Sequence, residues 1–442
     1  MRTESPPSTE QVAVVDATPA SAGDHSVTRR GLYWTFVAYG MTGLAGLSLN
    51  YLIVSQFGVT TLGRYNTLIA VILIGGQLGS ASVHSSVLYH TPEARSTGHP
   101  TGQILVSGLA LTALTTALST TVIVGLGEIA FRVADNPDYL NGLRAIAPGL
   151  LLYPINKTLL SHLNGLRRIR AFSVAFAGRF VLLTLLAAAA AFLFNDERLL
   201  PWTITATEVA LLSILLVTLR SELGAEGRRT TLNGLIGRHL GFGLRGIVGG
   251  LLLDLNTRVD ILLLVAIAGS RAAGVYSIAS LFAEGLLQLA MVARYSFDPV
   301  VTHLFVEDRL DELRGTIKRV KSRVYFLVFV AIVLSNLCYP LIVRFLFGTD
   351  LANESWQVFA LLTCGIAFSA GYVPFTNLLQ QIGSPARQSL LLGMVGGTNV
   401  VLNLLLIPQY GIVGAAAATA IAQACLVPYM RVLARPLLGF SL

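Results

Sequence analysis

The stretch Leu52-Ile-Val54-Ser-Gln-Phe57-Gly58-Val-Thr-Thr-Leu-Gly63-Arg-Tyr65, running on to Gln77-Leu78, occurs in the chain a second time. At a fixed offset of 211 residues, Leu52 matches Leu263, Val54 matches Val265, Gly58 matches Gly269 and Gly63 matches Gly274. Tyr65 then matches Tyr276, Gln77 matches Gln288 and Leu78 matches Leu289, seven identities over 27 positions. Apolar composition alone does not place Gly, Gly and Tyr at one spacing twice. The chain therefore carries two related halves, and the repeat joins the first long apolar run to the seventh. Both copies then have the same topology, which implies a pseudo-two-fold axis along the membrane normal.

The runs around this repeat decide the class. Of 442 residues, 54% are hydrophobic and only 12% charged, where a soluble domain carries about 25% charge. The apolar residues come in runs of about 20, the length that spans the hydrocarbon core. A soluble enzyme, a secreted disulfide scaffold and a nucleic-acid-binding domain are excluded. Twelve helices are expected, near 32–54, 66–89, 104–126, 144–163, 172–194, 202–219, 246–267, 273–295, 324–347, 355–379, 389–407 and 411–433. The fold class is an all-α polytopic membrane protein with two six-helix lobes related by a parallel repeat. Residues 1–28, rich in Ser, Thr, Pro and acids, read as a disordered tail without the apolar core of a signal peptide. The N-lobe covers 29–220, a linker 221–245, the C-lobe 246–435, and 436–442 form the C-terminus.

Arg and Lys sort between the connections. Twenty lie in the tail, the C-terminus and the even-to-odd connections, against four on the other side: Arg64, Arg132, Arg198 and Arg271. The positive-inside rule puts both termini in the cytoplasm of a multi-pass plasma-membrane protein. Two basic segments on that side carry apolar stripes. Val306, Leu310, Leu313, Ile317, Val320 and Val324 suit a helix lying on the inner leaflet, while Leu232, Leu235, Ile236 and Leu240 lie within the linker; the alternative for either segment is a solvated basic loop kept inside by its charge.

No catalytic chemistry stands out. The outer connections are short, no P-loop is present, and neither the histidines nor Cys338, Cys364 and Cys425 show metal or redox spacing; the three cysteines read as small buried hydrophobes. No cofactor, metal or nucleic-acid partner is expected, and a monomer is. The informative residues are charges inside the spans, each costly in hydrocarbon unless it lines a cavity or is paired. They are Lys157, Arg179 and Glu208 in the first half, and Asp254, Arg258, Asp260 and Glu284 in the second. Lys157 and Arg179 have no acid within four residues on their own helices. As unpaired cations they would line a cavity for an anion such as a diphosphate; the alternative is pairing across helices, with Glu208 nearest in sequence. Asp254 and Arg258 stand in the favourable order for an intrahelical pair. Glu208, Asp254, Arg258, Asp260 and Glu284 are read as ion-coupling or structural charges.

Further along, Asn399-Val-Val-Leu-Asn403-Leu-Leu-Leu-Ile-Pro408-Gln-Tyr-Gly411-Ile-Val-Gly414-Ala-Ala-Ala-Ala-Thr419 resembles the penultimate hairpin of bacterial polysaccharide flippases. These belong to the multidrug/oligosaccharidyl-lipid/polysaccharide exporter superfamily. Asp260-Ile-Leu-Leu with Gly274-Val-Tyr-Ser-Ile-Ala279, then Asp298-Pro299 and Arg344-Phe-Leu-Phe-Gly348, are similar to the same family. In the first half, Phe57-Gly58-Val-Thr replaces the family's Leu-Gly-Pro-Glu-like lead-in to the outer turn. The resemblance implies a V-shaped pair of lobes around a cation-lined cavity. It further implies flipping of an isoprenyl-diphosphate-linked oligosaccharide from the inner to the outer leaflet for cell-surface polysaccharide assembly. Coupling to an ion gradient or the membrane potential is implied, as are a polysaccharide polymerase or glycosyltransferase as partners, alongside membrane lipids. The alternative is a cation-coupled multidrug or small-molecule antiporter of the same superfamily, which would favour acidic and aromatic cavity residues.

Overall fold

A computed structural model describes residues 22–133, 135–223, 232–440 and 442, and these are helical almost throughout. In chain order the first helices are α1 (Ala22–Phe57), α2 (Val59–Ser80), α3 (Val83–Ser96), α4 (Thr101–Val133) and α5 (Pro137–Gly165). Then come α6 (Ile169–Ala189), α7 (Leu200–Thr218) and the single turn α8 (Arg220–Leu223). The second half holds α9 (Leu232–Ala268), α10 (Ser270–Val306), α11 (Leu310–Phe347), α12 (Thr349–Ser369), α13 (Leu378–Gln381) and α14 (Pro385–Leu438).

Eight helices are long and apolar enough to cross a membrane on that measure alone. α14 runs for 54 residues, too many for one crossing, and non-helical backbone at Gly411 divides it into two. α12 bends by 59° into its continuation through α13 and adds another. The remaining two are α5 and α9, which carry Lys157, Asp254, Arg258 and Asp260. Their polar residues explain why hydropathy passes over them, and with them the described residues make the twelve crossings expected.

Glycine makes the tight turns at one end of the bundle. Gly58 (φ +88°) joins α1 to α2, Gly269 (φ +87°) joins α9 to α10, and Gly348 (φ +93°) joins α11 to α12. With ψ between 167° and 172° these lie where a Cβ is not tolerated, so one residue reverses the chain only if it is glycine. This end is called outer here, and the arginine-rich end inner. α1 packs on α6, α4 and α7 pack on α5, and in the second half α9 and α12 pack on α14 and α11 on α12.

The structure departs from the sequence reading in five places. The expected tail lies outside the described residues up to 21, while 22–28 already continue α1. Of the expected linker, 224–231 lie outside the described residues and 232–245 are the first turns of α9. There Leu235 and Ile236 pack against Val83, Val87, Ile104 and Leu111 of the first half. The stripe of 304–324 does not lie flat on a leaflet: Leu313, Ile317, Val320 and Val324 are buried in the core as the inner extension of α11. The chain end is also docked, since the Leu442 carbonyl accepts from the Tyr372 hydroxyl at 2.9 Å. Cys338 and Cys364, expected buried, are exposed on the bundle surface, and all three thiols are free.

Candidate functional site

Span two is broken. α2 ends at Ser80, Ala81 and Ser82 both take left-handed backbone, and α3 starts at Val83. Beside the break Gln77 turns toward α5 and α9. Its amide oxygen accepts from Lys157 Nζ at 2.7 Å, and its amide nitrogen approaches Ser82 Oγ at 3.3 Å. Gly250 on α9 makes room for it, because a Cβ there would stand 2.0 Å from the Gln77 amide nitrogen.

One turn along α9 from Gly250 comes Asp254, and its carboxylate lies 3.8 Å from Lys157 Nζ. The two side chains are 25% and 29% exposed and come from opposite halves of the chain. Asp254 and Glu284 each stand 15 positions from the turn glycine Gly269, hence about 22 Å in from the outer end. Between them Arg258 reaches Glu284 at 3.4 Å, with Glu284 46% exposed. Charges that remain this exposed at such depth are costly unless water reaches them.

Arg179 and Glu208 are different. Their side chains are 11% and 4% exposed, they meet at 3.1 Å, and Asn156 donates to the Glu208 carboxylate at 2.8 Å. The Arg179 guanidinium lies over the Tyr153 ring at 4.5 Å, where Gly76 leaves the ring its space. The unpaired-cation reading is therefore corrected for both residues: each faces an acid on another helix, Lys157 loosely at 3.8 Å from Asp254 and Arg179 closely with Glu208, where burial without a counter-charge would be prohibitive. The intrahelical Asp254–Arg258 pair is not formed either, as each reaches across to another helix. Asp260 is buried, accepting from the Tyr276 hydroxyl and from the Ile261 amide. Tyr276 also lies 3.3 Å from Thr419. Its repeat counterpart Tyr65 meets Thr203 at 3.2 Å, so the two halves reproduce a tyrosine–threonine contact, and the second adds an acid.

Among the described residues, no group of His, Cys, Asp and Glu is arranged to hold a metal ion. A groove of about 840 Å³ between α4 and α5, and another of about 280 Å³ among α10, α11 and α12, hold none of these interior charges. Sequence reasoning missed Gln77 and Asn156 as polar partners, although Gln77 stood in the repeat.

The halves also meet at both ends. Outside, α2 crosses α10 at Gly63 and Gly274. Inside, the start of α9 lies on α3 and α4, with His239 between Ser86 at 2.9 Å and Ser107 at 3.1 Å, and Arg238 on Glu93 at 2.7 Å.

No protein-family profile and no curated protein sequence matches the chain. Solved structures do. The lipid II flippase MurJ in an inward closed conformation superposes with a TM-score of 0.70 at 16% identity, over 90% of this chain and 86% of that one. A multidrug resistance MATE family transporter of the MOP superfamily, inward-facing, gives 0.64 at 14% identity over 89% and 95%. An outward-facing MATE family transporter gives 0.65 at 12% identity over 94% and 95%. The chain has the fold of these transporters.

Proposed function

From this shared fold and the partly exposed charges between the halves, we propose that the protein is a flippase for an isoprenyl-diphosphate-linked oligosaccharide. The substrate moves from the inner to the outer leaflet of a bacterial plasma membrane, with both termini of the protein cytoplasmic. The observation that carries this reading is Lys157, a partly exposed cation fixed by Gln77 of the first half and facing the second. Such a lipid has one part that must cross hydrocarbon and one that stays in it. The diphosphate and glycan need a hydrated, cation-bearing path, while the polyprenyl chain remains in lipid. Lys157 supplies a compact charge to the diphosphate. The N-lobe (29–220) and C-lobe (246–435) rock about the interior, opening the inner and outer contacts in turn. In this reading Arg179 shapes the site through Tyr153 and Glu208.

A second reading, a cation-coupled small-molecule antiporter, is favoured by the acids of the second half, Asp254, Asp260 and Glu284. Proteoliposomes decide between them. With a lipid-diphosphate oligosaccharide and a leaflet-specific glycan probe, protein-dependent appearance of glycan on the far side supports the flippase. Its dependence on an imposed gradient names the coupling. Efflux of a cationic dye from the same vesicles without glycan movement would establish the antiporter instead. Lys157→Gln is expected to lower glycan transport at least about tenfold, the loss of one charge-assisted contact.

A further inference from the structure

The Lys157–Asp254 pair is loosely made for two opposite charges inside a membrane protein. At 3.8 Å it is too long for a hydrogen bond, and Gln77 takes the short contact at 2.7 Å. Among the described residues Lys157 is the only ion-pair partner of Asp254, and the Lys157 ammonium has donors to spare beyond the one given to Gln77. The pair also joins α5 of the first half to α9 of the second, across the interface that has to rearrange.

We infer that Asp254 is a built-in stand-in for the anionic group of the substrate. In the empty carrier its carboxylate holds the place beside Lys157 that a diphosphate takes on loading. The inference rests on the flippase reading above and adds to it the residue that links loading to movement. A diphosphate oxygen bound to an ammonium settles at about 2.7–2.9 Å, shorter and stronger than the carboxylate contact it replaces. Displaced, Asp254 has a second cation one turn away: Arg258, four residues on, in the order that favours an intrahelical pair. Arg258 now leans on Glu284 at 3.4 Å, and Glu284 is exposed enough to stay solvated when released. Loading substrate therefore exchanges a tie between the halves for a pair within α9 and leaves the halves free to separate. The empty carrier keeps its tie.

The test uses the full-length protein in nanodiscs, a polyprenyl diphosphate as ligand and the uncharged polyprenol as control. Asp254→Asn is expected to bind the diphosphate about tenfold more tightly, the competitor having been removed, while turnover in proteoliposomes falls with KM. Asp254→Glu restores both, which a merely structural role for the carboxylate would not require. Spin labels on α5 and α9 report the tie directly: the diphosphate lengthens their separation in the wild type, and Asp254→Asn starts from the longer distance. Unchanged diphosphate binding in Asp254→Asn, with binding lost in Lys157→Gln, overturns the stand-in and leaves the flippase reading intact. Wild-type protein that binds polyprenol and polyprenyl diphosphate equally overturns the reading beneath it. Should Asp254→Asn fail to fold, the wild-type distances decide, and a separation unchanged at saturating diphosphate overturns the inference.

Discussion

At the scale of single residues, depth in the membrane and direction within the bundle are separate facts. Lys157 and Arg179 look alike in sequence, one cation each inside an apolar run. Arg179 is sealed among Glu208, Asn156 and Tyr153, whereas Lys157 opens to the interior. Arg179→Leu should therefore cost stability before it costs transport. It leaves the Glu208 carboxylate buried with Asn156 alone, a loss of about 3–5 kcal/mol. The paired change Arg179→Leu with Glu208→Leu should recover most of that, and thermal unfolding in detergent of the two variants measures the difference. Equal destabilisation by both would show that the ion pair is not what matters there. The sequence exposed the charges because hydrocarbon makes them rare. It concealed their partners, because pairing across helices depends on which faces meet. Tyr276 and Asp260 were likewise visible one by one, while the buried contact between them was not.

At the scale of helices, the repeated glycines acquire a purpose that neither copy shows alone. A Cβ on Gly63 would lie 1.8 Å from the Ser270 carbonyl oxygen, and one on Gly274 would lie 2.0 Å from that of Val59. Residues 63 and 274 are repeat equivalents, and so are 59 and 270. The outer crossing of α2 and α10 is therefore the same contact made twice, related by the pseudo-two-fold axis that the offset of 211 implied. Backbone on both sides leaves no flexible group to give way. Gly63→Val or Gly274→Val is expected to prevent the crossing while each half keeps its own packing. The measurement is the labelling rate by a membrane-impermeant thiol reagent of a cysteine introduced at Val59, in a background lacking the native cysteines. It should rise at least about tenfold in either variant, and no rise would mean that the crossing is not the outer closure. The glycines were legible as a repeat because composition could not account for them, but the contact between the copies was not. Two other misreadings belong to this scale. The stripe of α11 has the same periodicity whether it meets lipid or protein, and the break in span two falls at Ala81 and Ser82, which are not helix breakers by type.

At the scale of the whole molecule, each interior cation has an acid: Lys157 faces Asp254, Arg258 faces Glu284 and Arg179 faces Glu208, while Asp260 is held by Tyr276 and the Ile261 amide. The excess of cations lies instead toward the inner end, where the two halves meet through α9. Glu93 of α3 accepts from Arg238 of α9 at 2.7 Å and meets His90 at the same distance. The His90 contact, and with it the Arg238 guanidinium, hold the Glu93 carboxyl below its ordinary range. A carboxylate depressed in this way adds its stabilisation above its free pKa, about 4.3, and loses it as pH falls through the lower value of the folded state. The inner contact should thus keep the Glu93 contribution above the free value and lose it only as pH falls below that. Both partners are half exposed, so the pair contributes about 0.2–1 kcal/mol, which limits Glu93→Gln at neutral pH to about a fivefold shift toward inner opening. His239, buried between Ser86 and Ser107, and the packing of Leu235 and Ile236 carry the rest of the closure. Spin-label distances between α3 and the start of α9 test this ordering. Glu93→Gln should lengthen them slightly, and Leu235→Asp should lengthen them much more. An effect of Glu93→Gln as large as that of Leu235→Asp would mean that charge, not packing, closes the inner end.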